Sequence, residues 1–232
     1  MALPKIDTPS YQLELPSNQQ VVKYRPFLVK EQKILMMAQE ADSQEDTYNM
    51  LSEIVDGCTF NSVDIKTMPL FDFEYLFLKI RCKSVGETAE LSILCPDDNE
   101  TRVPVKVNLD EIDVQIQDDH SNVVGVNDSI KIIMRYPTVN DIKNISQTTD
   151  NIVKLIRVCI HEVHEEDEIH SMVDITNTEL DEFIDSLPTE TFEKMGIFFS
   201  TMPRLTHVVE VKNPKTEVTS EVVIQGMESF FS

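Results

Sequence analysis

The chain is short of nearly everything that a nucleic-acid-binding or nucleotide-using protein needs. Its 232 residues hold 20 lysines and arginines against 41 acids, a formal net charge of −21. Such a surface repels phosphate backbones, and no window gathers a basic cluster, so no nucleic-acid partner is expected. Only 5 glycines occur, with no phosphate-cradling loop and no dinucleotide fingerprint among them. No apolar run approaches the roughly 18 residues of a membrane span. The start, MALPKIDTPSYQLELPS, has no basic stretch leading into an apolar core, so no secretion signal is read there. The 4 cysteines (Cys58, Cys82, Cys95, Cys159) stand far apart without a C-x-x-C. That spacing suits reduced thiols packed as small hydrophobes, not a disulfide frame. The expectation is a soluble cytoplasmic protein without a cofactor.

What is present is a folded, mixed pattern, with 41% hydrophobic residues. Residues 1–25 carry prolines at 4, 9 and 16 and read as an extended N-terminal arm. Residues 26–84 read as helical. Pro26 suits a first turn, Tyr48, Leu51, Ile54 and Val55 share a face closed by Gly57, and PLFDFEYLFLKIRCKSVGE is apolar on more than one side. Residues 85–136 switch to alternation and predict a small antiparallel sheet ending in SIKIIMRYPT. Residues 137–203 return to helix, through DNIVKLIRVCIHEVHEE with Asp150 or Asn151 as cap, then a capping-box start at Thr178. Residues 204–232 predict a hairpin turning at Asn213-Pro214, followed by a tail. The fold class expected is α+β, a helical core with two antiparallel hairpin or small-sheet elements, in one compact unit or two intertwined subdomains.

The stretch ILCPDDNETRVPVKVNLDEIDV has the build of a zinc ribbon's first hairpin, yet aspartates follow Cys95 where a second cysteine is needed. Asp97 and Asp98, as neighbours in a turn, point apart and cannot share a proton. The best metal-like cluster is His161 and His164 with the acids around them. On a helix they would share a face, and a metal-dependent hydrolase is the rival reading. Their H-x-x-H spacing is not the H-E-x-x-H of zinc hydrolases, and the plain alternative is a solvated acidic helix end. No catalytic, cofactor or metal residue is assigned. Met36 and Met37 are read as core filling. Ile6, Tyr11, Leu13 and Leu15 in the arm, with Phe230 and Phe231 at the end, are the candidate partner-binding residues. For the two rings, docking on the protein's own core stays equally open.

Several stretches together resemble the baseplate hub proteins of T-even-type contractile-tailed bacteriophages. The likeness rests on ALPKIDTPSYQLELPS, YRPFLVKEQKILMMAQE, DGCTFNSVDIKTMPLFDFEYLFLKIRCKSVGE and the closing FIDSLP…FF…MPRLTHVVEVKNP…VVIQGMESFF. The resemblance implies a late viral product, non-enzymatic, that builds the central hub through contacts with other hub proteins. It would act in the host cytoplasm and then stand in the virion. A chaperone left out of the finished particle is the close alternative, and a homo-oligomer is open. Some members of that family resemble zinc ribbons in carrying cysteine pairs at both hairpin turns. This chain keeps only Cys95, which argues against zinc here.

Overall fold

A computed structural model of the chain describes residues 6–41, 43–144 and 151–226. In chain order the elements open with β1 (Tyr11–Glu14), β2 (Val21–Tyr24), α1 (Val29–Gln39), α2 (Gln44–Cys58) and α3 (Leu70–Val85). Then come β3 (Thr88–Leu94), β4 (Arg102–Asn108), a 3-10 turn at Leu109–Glu111, β5 (Asp113–Gln115), β6 (Val123–Gly125) and β7 (Ile130–Met134). Next are α4 (Val139–Asn144), α5 (Asn151–Cys159), β8 (Ile160–Glu165) and β9 (Glu168–Ser171). The last are α6 (Asn177–Ser186), α7 (Thr189–Thr201), β10 (Arg204–Lys212) and β11 (Thr219–Gln225). The sheets are small and antiparallel, and the class is α+β as expected. The chain divides into two compact units. Met1–Gln115 joins Arg204–Ser232 in the first, and Ile116–Pro203 forms the second.

In the first unit, β1 and β2 form a hairpin where the sequence predicts a plain arm. Pro9 and Pro16 bracket β1 without interrupting its ladder, and Leu15, Val22 and Tyr24 are buried. Ser17 at the turn donates from its N–H and its hydroxyl to the buried Asp72 carboxylate, which fastens the hairpin to α3. Helix α2 buries Tyr48, Leu51, Ile54 and Val55, the face its spacing predicts, and Ser43 caps it by accepting from the Asp46 N–H. Pro26 lies ahead of α1, whose N-cap is Leu28. Gly57 lies inside α2 and does not stop it. A Cβ at Gly57 would stand 3.1 Å from Glu31 Oε1, so the glycine leaves room for a buried ion pair. Arg25 Nη2 lies 2.8 Å from that oxygen and donates to the Gly57 carbonyl, also at 2.8 Å. Burial pushes the Glu31 carboxyl up. Hydrogen bonds from Arg25, the Leu28 N–H and Lys30 outweigh it and hold the group at about 2.

Helix α3 buries Phe71, Phe73, Leu76, Phe77, Leu78 and Ile80, so it is apolar on several sides because it is central. Tyr75 is half-buried, with the Lys79 ammonium 5.2 Å from its ring centre. Strands β3 and β4 pair in register from Thr88↔Asn108 to Leu94↔Arg102. Strand β10 pairs with β11 on one side and with β5 on the other. The stretch from 85 to 136 is therefore not one sheet. β5 pairs with a strand from the far end of the chain, and β6 and β7 belong to the other unit. Leu78, Cys82, Leu91, Val107, Leu205 and Val209 are among the residues that close this core.

The second unit is a four-stranded sheet in the order β6-β7-β8-β9, with α5, α6 and α7 packed on it around Ile132, Ile156, Ile160, Met195 and Phe198. The helix expected through His164 ends at Cys159, and the chain continues as strand. A bulge explains the misreading. Met134 pairs with Ile160 and Ile133 with Glu162, leaving His161 as the extra residue. The buried Ile160 and Val163 therefore fall three apart, a helical interval on a strand. The capping box of α6 is Thr176 with Glu179, two residues before the expected Thr178. Pro188 and Met202 flank α7, close to the predicted ends. The predicted cap at Asp150 lies outside the described residues.

Two outcomes test this packing. Phe77 is 1% exposed, so Phe77→Ala should cost about 3–5 kcal/mol in denaturant unfolding. A loss below about 1 kcal/mol with the fold intact would place the ring elsewhere. Glu31, held below its ordinary 4.5, stabilises the fold fully above that pH and loses the effect as pH falls toward 2. Stability of Glu31→Gln should decline less steeply across that window, and parallel curves would dismiss the coupling.

Candidate protein-binding surface

The ribbon-like turn turns out to be a joint. Cys95 is buried, its thiol pushed up by burial and then by Asp97 and Asp98. Asp98 folds back on its own turn, accepting from the Thr101 hydroxyl at 2.6 Å and from the Thr101 and Glu100 N–H groups at 3.0 Å. Those bonds hold its carboxyl well below the ordinary range. Asp97 reaches across to the second hairpin's turn, accepting from the Thr216 hydroxyl and from Asn213 Nδ2 at 3.0–3.1 Å. These donors lower its carboxyl as well. Asn213 is fully buried, so Asp97 satisfies a buried amide. The two tips are joined by hydrogen bonds where a ribbon would use metal.

The histidine cluster lies on β8 and β9. His164 Nε2 stands 2.8 Å from one oxygen of Glu162, and His161 Nε2 stands 3.7 Å from the other. The bulge brings both rings to one carboxylate, although the helix that suggested the pairing is absent. His170 lies 3.7 Å from Glu165. Among the described residues no group of three histidine, cysteine or acidic side chains is arranged to hold a metal ion. His120 was not singled out by its sequence context. Its Nδ1 lies 2.9 Å from the Thr201 hydroxyl and its Nε2 3.0 Å from the Tyr136 hydroxyl, with its ring stacked on Tyr136. It is a half-buried histidine with both ring nitrogens satisfied, its pKa lowered by burial against the pull of Asp119.

Exposed apolar residues occur in both units, among them the candidates at the N-terminal end and on α1. Tyr11, Leu13 and Leu15 share the inner face of the first hairpin, and burial deepens toward the turn. Tyr11 stands at the margin with its ring against Tyr24, Leu13 is half-buried, and Leu15 is only 2% exposed. Leu15 therefore belongs to its own core. Ile6 is 87% exposed. Phe230 and Phe231 lie outside the described residues. Met36 and Met37, read as core filling, are each 59% exposed, and Val29 is 73% exposed. On α1, Val29 and Met36 are seven residues apart and share the face opposite the buried Glu31 and Ala38. The inner side of α1 holds Glu31 and Ala38, buried, with Ile34 and Leu35 half-buried beside them, so Val29, Met36 and Met37 fall outside it.

The model of the family described as T4 bacteriophage base plate protein matches residues 8–232. The baseplate hub assembly protein gp26 of Enterobacteria phage T4 is 26% identical over 222 residues, covering 95% of this chain and 97% of that protein. No solved structure matches.

The joint between the two tips can be measured directly. Asp97→Ala and Asn213→Ala should each lower the melting temperature. The double variant should lose less than the two losses added, because both remove one interaction. Strict additivity would mean that the two turns are held independently.

Proposed function

The chain belongs to the T4 bacteriophage base plate protein family, and from that footing we propose that it is a non-enzymatic structural or assembly protein of a contractile tail's baseplate hub. It works by protein–protein contact. The observation that carries this reading is coverage. The likeness to a hub assembly protein runs through 95% of this chain and 97% of the relative, so it takes in both units and is not confined to a shared module.

Contacts with other hub proteins are made by the exposed apolar residues of the first unit. Val29, Met36 and Met37 present an exposed methionine-containing face, and methionine adapts its shape to an irregular partner at little cost. Ile6 and Tyr11 extend that apolar character to the N-terminal hairpin, and Phe230 and Phe231 are the matching candidates at the other end. Assembly takes place in the host cytoplasm. The word "assembly" in the relative's name favours a second reading, a chaperone that shapes the hub and is absent from the finished particle.

The test is complementation of a phage lacking this gene. Met36→Ser with Met37→Ser should abolish hub assembly while leaving the purified protein's melting temperature unchanged. Normal hubs from that variant would remove α1 from the contact surface. Mass spectrometry of purified virions then separates the readings, since a structural subunit is found in the particle and a chaperone is found only on hub intermediates.

A further inference from the structure

The second unit carries an apolar surface of a different electrical character. Helix α6 is amphipathic, yet none of its residues is fully buried. Its Leu180 and Phe183 are half-buried, and with Val163 and Met172 they line a cavity of about 360 Å³. The rim carries Glu165, Asp174 and Glu179, and His170 is the one basic-type residue on it. Val173, next to the rim, is 91% exposed. Between Arg157 and Lys194 the sequence holds twelve acidic residues and no lysine or arginine. That stretch runs through β8, β9 and α6 into the start of α7, and it supplies every lining residue of the cavity except Ile130 of β7.

We propose that this groove binds a cationic segment of a partner protein that inserts one or two large apolar side chains. Apolar walls give it a place to bury leucine- or isoleucine-sized groups, and its volume lies at the small end of ligand-sized cavities, too little for a large hydrophobic body. The acidic rim steers lysine and arginine toward the cavity and repels acidic proteins. The nearest arginines lie in the adjoining cavity beyond Met172 and Leu180, where Arg157 is paired with Asp181 and Arg135 with Asp141. A second copy of this chain is a poor occupant by the same reasoning, because each copy carries a net charge of −21. The face on α1 is unlike this one, since Lys30 and Lys33 stand among its apolar residues. The two surfaces therefore select partners of different charge, and the groove's role holds whether or not α1 contacts the hub.

The experiment uses the full-length protein and a fluorescein-labelled helical peptide built of lysine and leucine, followed by anisotropy. Saturable binding is expected at low salt, weakening steeply as salt shortens the range of the charges. Glu165→Lys combined with Asp174→Lys, both exposed positions, should weaken binding roughly tenfold or more with an unchanged melting temperature. Should that pair disturb the fold, Asp174→Asn alone should still weaken binding measurably. A lysine-only peptide of the same length should bind more weakly, because it offers nothing to the cavity. The proposal is overturned by no saturable binding at low salt, by equal affinity for the charge-reversed protein, or by equal affinity for the lysine-only peptide. It is also overturned if sedimentation finds a dimer of this chain that excludes the peptide.

Discussion

The backbone pairing of β10 with β5 is the constraint on which the first unit rests. Three residue pairs, from Arg204↔Gln115 to Thr206↔Asp113, bring the far end of the chain against its middle. Once β10 is there, Leu205, Val209 and Val211 reach Leu78, Cys82 and Leu91, and β11 has a strand to pair with. Lys79 ties α3 to the same region, donating to the carbonyls of Asp110 at 2.6 Å and Ile112 at 3.1 Å. The Asp97–Asn213 joint then holds the opposite end of the paired hairpins. Removing the pairing would leave an α3 apolar on several sides with one of them uncovered.

Regular local pattern was legible. The two hairpins showed as alternation, α2 as a four-residue face, and α3 as a helix too apolar for a surface position. What a local pattern does not carry is the identity of a strand's partner, so β5 was grouped with its sequence neighbours and not with β10. At β8 a single extra residue converted the strand interval into a helical one. The arm concealed a hairpin because Pro9 and Pro16 sit beside the ladder, at positions that cost it no donor.

The candidate surfaces show the same division. Ile6 was legible as an apolar residue in a polar setting, and it is exposed. Leu15 looked the same in sequence and is buried, because alternation places it on the inward face at the turn. Met36 and Met37 were misplaced since methionine composition says nothing about which side of a helix it occupies. On the opposite side of the helix Glu31 is kept buried by Arg25. A buried ion pair beneath α1 is what turns its methionines outward.

The insertion between β5 and β10 also orders events in time. A ribosome releases the chain from its N-terminus, so β5 emerges well before the strand that completes its sheet. The 88 residues from 116 to 203 come between them. At roughly 5–20 residues per second, translating those residues occupies roughly 4–18 s. By the end of that interval the inserted unit possesses all of its own strands, while the first unit still holds α3 and β3–β4 without their covering sheet. The later-made half of the molecule is thus free to mature first, and the earlier-made half spends seconds with apolar surface open to chaperones or to aggregation.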